Sequence, residues 1–301
     1  MLGGRARPGP ATVGGLLMLV VAGCNAVDTA LTRVVTQELH PLEVAFFRNL
    51  FSLILILPWL LRAGPGVLRT NRPALHVARA ALKLVAMVLL FFAISIMPLA
   101  DVTAIVFTSP LFVVLGAALL LGETLSVRRL AAIGLGFFGI LVVLRPGSAV
   151  FDPRMMTAVG AAVGFAGIAL LLKAMSAREP APTLVGLNLV ITVPLAFLLT
   201  LPVWTTPRPE ILFYLGLQGG LGALAQVAVT RAMAKADASF LTPIEFVRLP
   251  LVVVLGYVFF LEVPDLWMWL GSALIFIALV YLLRHGGTAP AAPVAVAGRG
   301  G

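Results

Sequence analysis

Charged residues are scarce in this chain of 301 residues. Asp, Glu, Lys and Arg make up 11% of the sequence and hydrophobic residues 61%, whereas soluble domains average about 25% charged residues. The net charge of +9 is not gathered into the basic face of a soluble domain, as nucleic-acid binding would require. The composition therefore excludes a soluble globular protein and indicates an integral membrane protein without a nucleic-acid partner.

Cysteine and histidine are also rare, which excludes several kinds of chemistry. The single Cys24 has no partner for an intrachain disulfide. The three His residues lie near predicted loops or ends, and no metal-ligand spacing links them to Cys24 or to carboxylates; they are His40, His76 and His285. The chain also lacks a Gly-Lys-Ser/Thr phosphate loop, so ATP-driven transport is not expected. We predict no metal, no cofactor and no enzymatic activity.

One short pattern near the N-terminus is open to two interpretations. Arg5, Arg7, an apolar run and then VAGC at 21–24 resemble a lipoprotein signal peptide whose lipid-accepting residue would be Cys24. The apolar run continues to Val35, however, which is longer than the apolar region of a signal peptide. Cleavage would also delete most of the first helix. We therefore favour a retained first helix in which Cys24 is a packing residue.

Long apolar segments follow one another with short connections. A bilayer core of about 30 Å needs roughly 20 apolar residues per helix, and about ten such segments are present. They cover residues 13–35, 41–61, 75–97, 99–121, 127–144, 154–176, 182–202, 210–233, 238–261 and 264–284. Residues 1–12 and 286–301 are rich in Gly, Ala and Pro and are predicted to be disordered cytoplasmic tails. We predict an all-α integral membrane protein with ten transmembrane helices.

The chain contains the same unit twice. The sequence PLFVVLG at 110–116 returns as PLVVVLG at 250–256, about 140 residues later, and each copy is followed by more apolar residues and a Glu. The halves 13–150 and 151–285 then hold five helices each. Because five is odd, the second half must cross the membrane in the opposite direction, which gives two inverted-topology repeats of five helices. Such repeats are typical of transporters.

The Lys and Arg residues indicate how the helices are oriented. With both termini in the cytoplasm, most of the 21 Lys and Arg residues fall in cytoplasmic segments, Arg79 among them. The outer segments then hold Arg33, Arg145, Arg154 and Arg208. This asymmetry agrees with the positive-inside rule. We therefore predict a multi-pass protein of the bacterial inner membrane with cytoplasmic termini.

Five ionisable residues lie deep inside the predicted helices, where charge is costly and usually functional. Asp28 in helix 1 and Arg48 in helix 2 lie at the same estimated depth, roughly 10 Å, so we predict that they pair. Glu245 and Arg248 are three residues apart and can pair along helix 9. With Lys83 added, the set holds more cations than anions. It either braces the bundle or lines a central cavity.

We favour the cavity, because its spare cation would suit a substrate carboxylate or phosphate. Neutral polar residues at similar depths are predicted to add to its lining: Asn25, Thr29, Thr108, Ser109, Asn188 and Gln218. Pro110 and Pro250 lie inside helices 4 and 9 at equivalent positions of the repeats, where each removes a backbone hydrogen bond. They either kink these helices for structural reasons or take part in gating.

The most specific motif of the chain is GETLS at 122–126, which is followed by Gly134. It resembles the Gly-Glu and following Gly in the last helix of each repeat of the EamA-type members of the drug/metabolite transporter superfamily. The second half departs from the pattern, with Leu261-Glu262 in place of Gly-Glu, but it retains Gly271. The resemblance implies a secondary transporter of small metabolites in which helices 5 and 10 stand apart from the central cavity.

The expected function is transport of a small polar or amphiphilic metabolite by alternating access. An amino acid or related carboxylate-bearing compound is expected, by export or exchange, and the alternative is uptake of a nucleoside- or cofactor-like metabolite. A lipid scramblase or a membrane-embedded enzyme is the alternative from another class. The predicted partners are the lipid bilayer and a small-molecule substrate. Coupling to a proton, and the choice between monomer and homodimer, are left open.

Overall fold

All the secondary structure that the computed structural model describes is helical. It describes residues 10–285, apart from 122–125, 150, 177–178, 234, 236–240 and 242–243. The helices are α1 (Pro10–Val35), α2 (Pro41–Ala63), α3 (Pro73–Ile96), α4 (Leu99–Val106), α5 (Ser109–Leu121), α6 (Val127–Leu144), α7 (Met156–Ser176), α8 (Ala181–Thr200), α9 (Pro209–Met233), α10 (Arg248–Phe260) and α11 (Leu266–His285). Short 3₁₀ turns lie at Pro65–Leu68, Pro153–Met155 and Leu201–Val203.

The helices form ten membrane-spanning segments. Among the described residues, 8 segments are long and apolar enough to cross a membrane, one of which joins α4 and α5, and α10 and α11 supply two shorter apolar helices. Large apolar side chains cover the outside: Leu119, Phe213 and Phe259 are 75%, 68% and 68% exposed. Apolar surface of this extent is not tolerated in water. The protein is therefore an all-α integral membrane protein, and this surface faces lipid.

Prolines mark the start of several helices. α1, α2 and α3 begin at Pro10, Pro41 and Pro73, where a proline fits the first turn because its missing N–H has no helical partner there. Since α1 starts at Pro10, the last three residues of the predicted disordered tail 1–12 are helical. The rest of that tail and the tail 286–301 lie outside the described residues.

The fourth and ninth membrane segments are interrupted, whereas the sequence predicts each of them as one continuous helix. α4 and α5 are separated by a turn at 107–108, and an equivalent turn at 246–247 precedes α10. Each turn lies shortly before a proline of the repeat, Pro110 or Pro250. Neither proline can donate to the carbonyl four residues earlier, so the helical ladder is broken at the same place in both halves.

Contacts between helices come in pairs that the repeat relates. α1 packs on α9, and the equivalent α3 and α7 pack on each other. The contact between α2 and α9 corresponds to that between α3 and α8, and α5 with α7 corresponds to α1 with α10. Two further contacts, α2 with α8 and α6 with α11, join equivalent helices directly. A pseudo-two-fold axis in the membrane plane produces this pattern, so the inverted halves interleave in one bundle.

The last helices of the two repeats, α6 and α11, pack against each other through glycines. A Cβ on Gly139 would lie 3.0 Å from the carbonyl oxygen of Gly271, and a Cβ on Gly271 would lie 2.8 Å from that of Gly139. The remaining contacts of α6 and α11 are mainly with α4 and α5. These two helices therefore leave the polar centre of the bundle to be built by the others.

Candidate functional site

An ion pair joins α1 and α2 inside the bundle. Arg48 Nε and Nη2 donate to the two carboxylate oxygens of Asp28 at 3.2 and 3.0 Å. Both side chains are mostly buried, with 21% of Arg48 and 13% of Asp28 exposed. Bidentate guanidinium–carboxylate pairs hold both groups in a defined orientation. The contact predicted from helix depth is confirmed.

Residues of the second repeat extend this pair into a larger group. Arg248 at the start of α10 donates from Nη2 to the hydroxyl of Thr29 at 2.8 Å. Gln218 in α9 donates to the hydroxyl of Thr32 at 2.7 Å. Arg248 Nε and Gln218 Oε1 are buried without a hydrogen-bond partner among the described residues. We call this group the Asp28 cluster: Asp28, Thr29, Thr32, Arg48, Gln218 and Arg248.

Glu245 does not form the ion pair with Arg248 that the sequence predicts. Within the described part of the chain, neither residue takes part in an ion pair. The turn at 246–247 lies between them, and their charged groups do not come within ion-pair distance. The prediction is wrong because the helix is interrupted there, and Arg248 reaches Thr29 on α1 instead.

A second group of polar residues surrounds Lys83 in α3. Its Nζ donates to Oδ1 of Asn49 in α2 and to Oδ1 of Asn188 in α8, both at 2.9 Å. Thr192 lies one turn beyond Asn188 on α8 and is 0% exposed. Helices of both repeats thus hold a lysine by neutral amide oxygens. We call Lys83, Asn49, Asn188 and Thr192 the Lys83 cluster.

Arg79 adds a further cation to the interior. The sequence places it in a cytoplasmic segment, but α3 already begins at Pro73 and Arg79 is only 8% exposed. Its Nη1 donates to the carbonyl of Leu184 in α8 at 3.0 Å. Over the described ranges, no carboxylate forms an ion pair with Arg79, Lys83 or Arg248. The polar centre therefore carries more positive than negative charge.

Two of the predicted lining residues lie elsewhere. The Thr108 hydroxyl donates to the carbonyl of Ile105 at 2.5 Å, so it bonds within its own chain segment. Ser109 is the first residue of α5. Both belong to the break in the fourth membrane segment and join neither cluster. Asn25 lies beside the Asp28 cluster, because its carbonyl accepts from the Thr29 hydroxyl at 2.8 Å.

The two helix breaks meet each other. The rings of Phe107 and Phe246 stack with their centroids 4.4 Å apart, and Phe276 of α11 packs edge-on against Phe246 at 4.8 Å. Pro110 and Pro250 each follow one of the joined turns. Irregular backbone of this kind absorbs changes of dihedral angle when a protein moves. A gating role of the two prolines stays a prediction.

Polar contacts join the repeats at the predicted outer end, where α1 and α3 finish. Arg33 pairs with Glu262 at 3.3 Å, and Glu262 also accepts from the backbone N–H of Leu99 at 2.8 Å. Arg145 pairs with Asp265 at 2.6 Å. Burial raises the pKa of Glu262, although Arg33 and the Leu99 N–H favour its charged form.

Two more contacts link the loops of this end. Arg208 pairs with Glu38 at 2.6 Å, and Glu43 accepts from the backbone N–H of Thr205 at 2.7 Å. Each of these contacts connects a residue of the first repeat with one of the second. The predicted outer end is therefore held together across the repeat boundary.

A cavity of about 960 Å³ lies at the predicted inner end. Its wall includes the connection between α2 and α3, together with Leu187 and Ile191 on α8. Asn188 and Thr192 directly follow these two residues in the sequence. Along α8, the cavity therefore reaches the level of the Lys83 cluster.

Asn49 and Thr192 are absent from the sequence-based predictions. A signal for Asn49 does exist, because Asn49 and Asn188 are separated by about one repeat length and each lies in the second helix of its half. Aligning the halves therefore pairs the two amides that bind Lys83. Thr192 has no comparable signal, since its role depends on which face of α8 is buried.

Ten membrane-spanning segments in two inverted halves, with a polar centre supplied by both, define a membrane transporter of small molecules. The chain belongs to the EamA-like transporter family, which it matches over residues 12–145 and again over residues 153–284. The family resemblance seen in the sequence is confirmed, although GETL at 122–125 lies outside the described residues.

Curated relatives match over most of their length. The chain is 34% identical to a riboflavin transporter of Brucella anthropi, over 88% of this chain and 97% of that protein. It is 29% identical to an S-adenosylmethionine uptake transporter of Rickettsia bellii, over 89% and 91%. It is also 29% identical to a pseudopaline exporter of Pseudomonas aeruginosa, over 90% and 96%. All three are transporters rather than enzymes, and they differ in substrate and direction.

Proposed function

We propose that this protein is a secondary transporter that moves riboflavin, or a heteroaromatic metabolite of similar size and polarity, across the bacterial inner membrane by alternating access. The similarity to a riboflavin transporter over nearly the whole of that protein supports this substrate class. It corresponds to the cofactor-like alternative among the sequence-based expectations, in place of amino-acid export.

The observation that carries the proposal is the polar centre built by both repeats. The Asp28 and Lys83 clusters join α1, α2 and α3 of the first repeat to α8, α9 and α10 of the second. Buried polar groups are costly in a membrane and mark substrate paths, and inverted-repeat transporters bind substrates where their repeats meet. Riboflavin has a flat ring with carbonyl groups and a hydroxylated chain, so it offers both apolar surface and hydrogen-bonding groups.

The charge of the centre favours a second candidate class, carboxylate-bearing metabolites such as amino acids, moved by export or exchange. Among the described residues, Arg79, Lys83 and Arg248 form no ion pair, and a substrate anion would neutralise part of this charge. A cationic substrate such as S-adenosylmethionine would be repelled for the same reason.

We further infer that both termini are cytoplasmic and that α1 is retained, because the Lys and Arg residues are concentrated on the same side as the termini. We propose a proton as the first coupling ion to test. The transporter is proposed to act as a monomer or a homodimer. Fusions of alkaline phosphatase or green fluorescent protein to the C-terminus test the orientation. We expect the green fluorescent protein fusion to fluoresce and the alkaline phosphatase fusion to be inactive. An active phosphatase fusion would contradict a cytoplasmic C-terminus.

Purified protein in liposomes tests the substrate. We expect saturable riboflavin accumulation above that of empty liposomes, with unlabelled riboflavin competing better than glutamate or alanine. Lys83→Met should reduce the flux at least about tenfold, whereas the same change at the exposed Lys173 of α7 should not. Amino-acid flux without riboflavin flux would favour the second candidate, and lipid flipping without solute flux would indicate a scramblase.

A further inference from the structure

We propose that Lys83, Asn188 and Thr192 form a binding site for a planar group with two acceptor oxygens, such as the imide edge of a flavin ring or a carboxylate. Asn49 positions the lysine in this site. The proposal rests on the transport function proposed above, and it assigns one part of the substrate to one cluster of the polar centre.

The lysine has a donor to spare. An ammonium group carries three N–H donors, and the contacts to Asn49 and Asn188 at 2.9 Å account for two of them. Amide oxygens hold the group without neutralising it. The third N–H therefore remains for an acceptor.

The orientation of Asn188 follows from its contact with the lysine. An ammonium group has no acceptor, so the amide atom that faces Lys83 must be the oxygen. The amide nitrogen then points away from Lys83, and Nδ2 is buried without a hydrogen-bond partner among the described residues. The residue as a whole is only 7% exposed. A buried donor left without a partner destabilises the protein, so this amide nitrogen calls for an acceptor.

Thr192 behaves differently from other helical threonines in this bundle. The hydroxyls of Thr29, Thr32 and Thr103 each donate to the carbonyl four residues earlier at 2.8 Å. The Thr192 hydroxyl makes no such bond and has no partner among the described residues, although the residue is 0% exposed. Thr192 is four residues after Asn188, so both side chains project from the same face of α8.

These three groups select the chemistry of the ligand. Lys83 offers one N–H, the Asn188 amide nitrogen offers two, and the Thr192 hydroxyl both donates and accepts. An imide edge has two carbonyl acceptors on either side of an N–H, which matches this set of groups. A carboxylate has the two acceptors and adds a charge that the lysine favours. A cationic group finds no acceptor with negative charge in the cluster and is disfavoured.

The site lies next in sequence to part of the wall of the large cavity. Leu187 and Ile191 form part of the cavity wall, and each is followed directly by a residue of the site. Along α8 the site therefore lies at the same depth as this part of the cavity wall, on a face turned by about 100° from it.

Cysteine labelling tests the site without assuming the substrate. In a Cys24→Ala background, Thr192→Cys is treated with an anionic and a cationic methanethiosulfonate of similar size, and the exposed Ser148→Cys serves as the matched control. Relative to the control, we expect the anionic reagent to react at least about tenfold faster than the cationic one at Thr192→Cys. Adding Lys83→Met should abolish the preference. Adding Asn188→Asp, which keeps the contact with Lys83 but neutralises its charge, should also abolish it.

Labelling in the presence of riboflavin then tests the site and the proposed function separately. Slower labelling of Thr192→Cys in the presence of riboflavin supports both. An anionic preference that depends on Lys83, without protection by riboflavin, supports the site and contradicts riboflavin as substrate. Equal rates for the two reagents, or no reaction at Thr192→Cys while Ser148→Cys reacts, overturn the site, and riboflavin flux in liposomes still decides the function.

Discussion

Separating Asp28 from Arg48 is expected to destabilise the protein more than removing both charges. Asp28→Asn leaves the guanidinium group of Arg48 without its carboxylate partner, whereas Arg48→Gln leaves Asp28 close to Arg248, which binds the adjacent Thr29. Stranding one charge of a buried pair costs about 3–5 kcal/mol. With 21% and 13% of the side chains exposed, we expect about 3 kcal/mol for Asp28→Asn and about 2 kcal/mol for Arg48→Gln.

The double variant strands neither residue of the pair, so its cost should fall below the sum of the single costs by about 2 kcal/mol. The assay is reversible unfolding of the purified protein in mixed micelles for all four members of the cycle. The more exposed pair Asp152–Arg154 is the matched control, and the same pair of substitutions there should show coupling below about 1 kcal/mol. Additivity at Asp28 and Arg48 within about 0.3 kcal/mol would refute the reasoning, because the side chains would then not interact.

Three further perturbations test the packing, the helix breaks and the outer end. Gly164→Ala should destabilise the protein by about 1–3 kcal/mol in the same unfolding assay, because the new Cβ would lie 2.7 Å from that of Ala86. Gly134→Ala is the control and should change little, because the space around Gly134 is open. Equal effects of the two substitutions would contradict the packing. Pro110→Ala restores a helical N–H and should slow transport while substrate affinity stays unchanged; an unchanged rate would argue against gating. Burial raises the pKa of Glu262 above 4.5. The contribution of Glu262 to the free energy of unfolding is therefore complete below pH 4.5 and declines as pH rises through the raised pKa. If Glu262→Gln and the unchanged protein have the same pH profile of unfolding, this reasoning is wrong.

The sequence was sufficient for features that depend on regular helices. The lengths of the apolar segments predicted the membrane-spanning helices. The repeated seven-residue sequence divided the chain into two halves, and the odd number of helices in each half requires inversion. The Asp28–Arg48 contact was predictable because both residues lie in uninterrupted helices, where counting residues from the shared loop gives depth.

Predictions failed where the backbone departs from a continuous helix or where burial is decided by packing. The expected pairing of Glu245 with Arg248 assumed regular spacing, which the turn at 246–247 removes. Arg79 looked like part of a cytoplasmic segment because it is close to the start of α3, but its guanidinium folds into the bundle against Leu184. Neither result can be read from residue type, because both depend on how neighbouring helices meet.

The scaffold is close to symmetric, while the polar groups placed on it are not. Asn49 and Asn188 occupy matching helices and bind the same lysine, yet Leu187 precedes Asn188 where Arg48 precedes Asn49. Arg248 begins α10 at the place where the first repeat has Thr108. Symmetric packing lets the bundle rearrange toward either side of the membrane with similar contacts. We expect the asymmetric charges to act differently, by giving one substrate a single preferred orientation between the repeats, with its acceptor groups toward Lys83 and away from the carboxylate of Asp28.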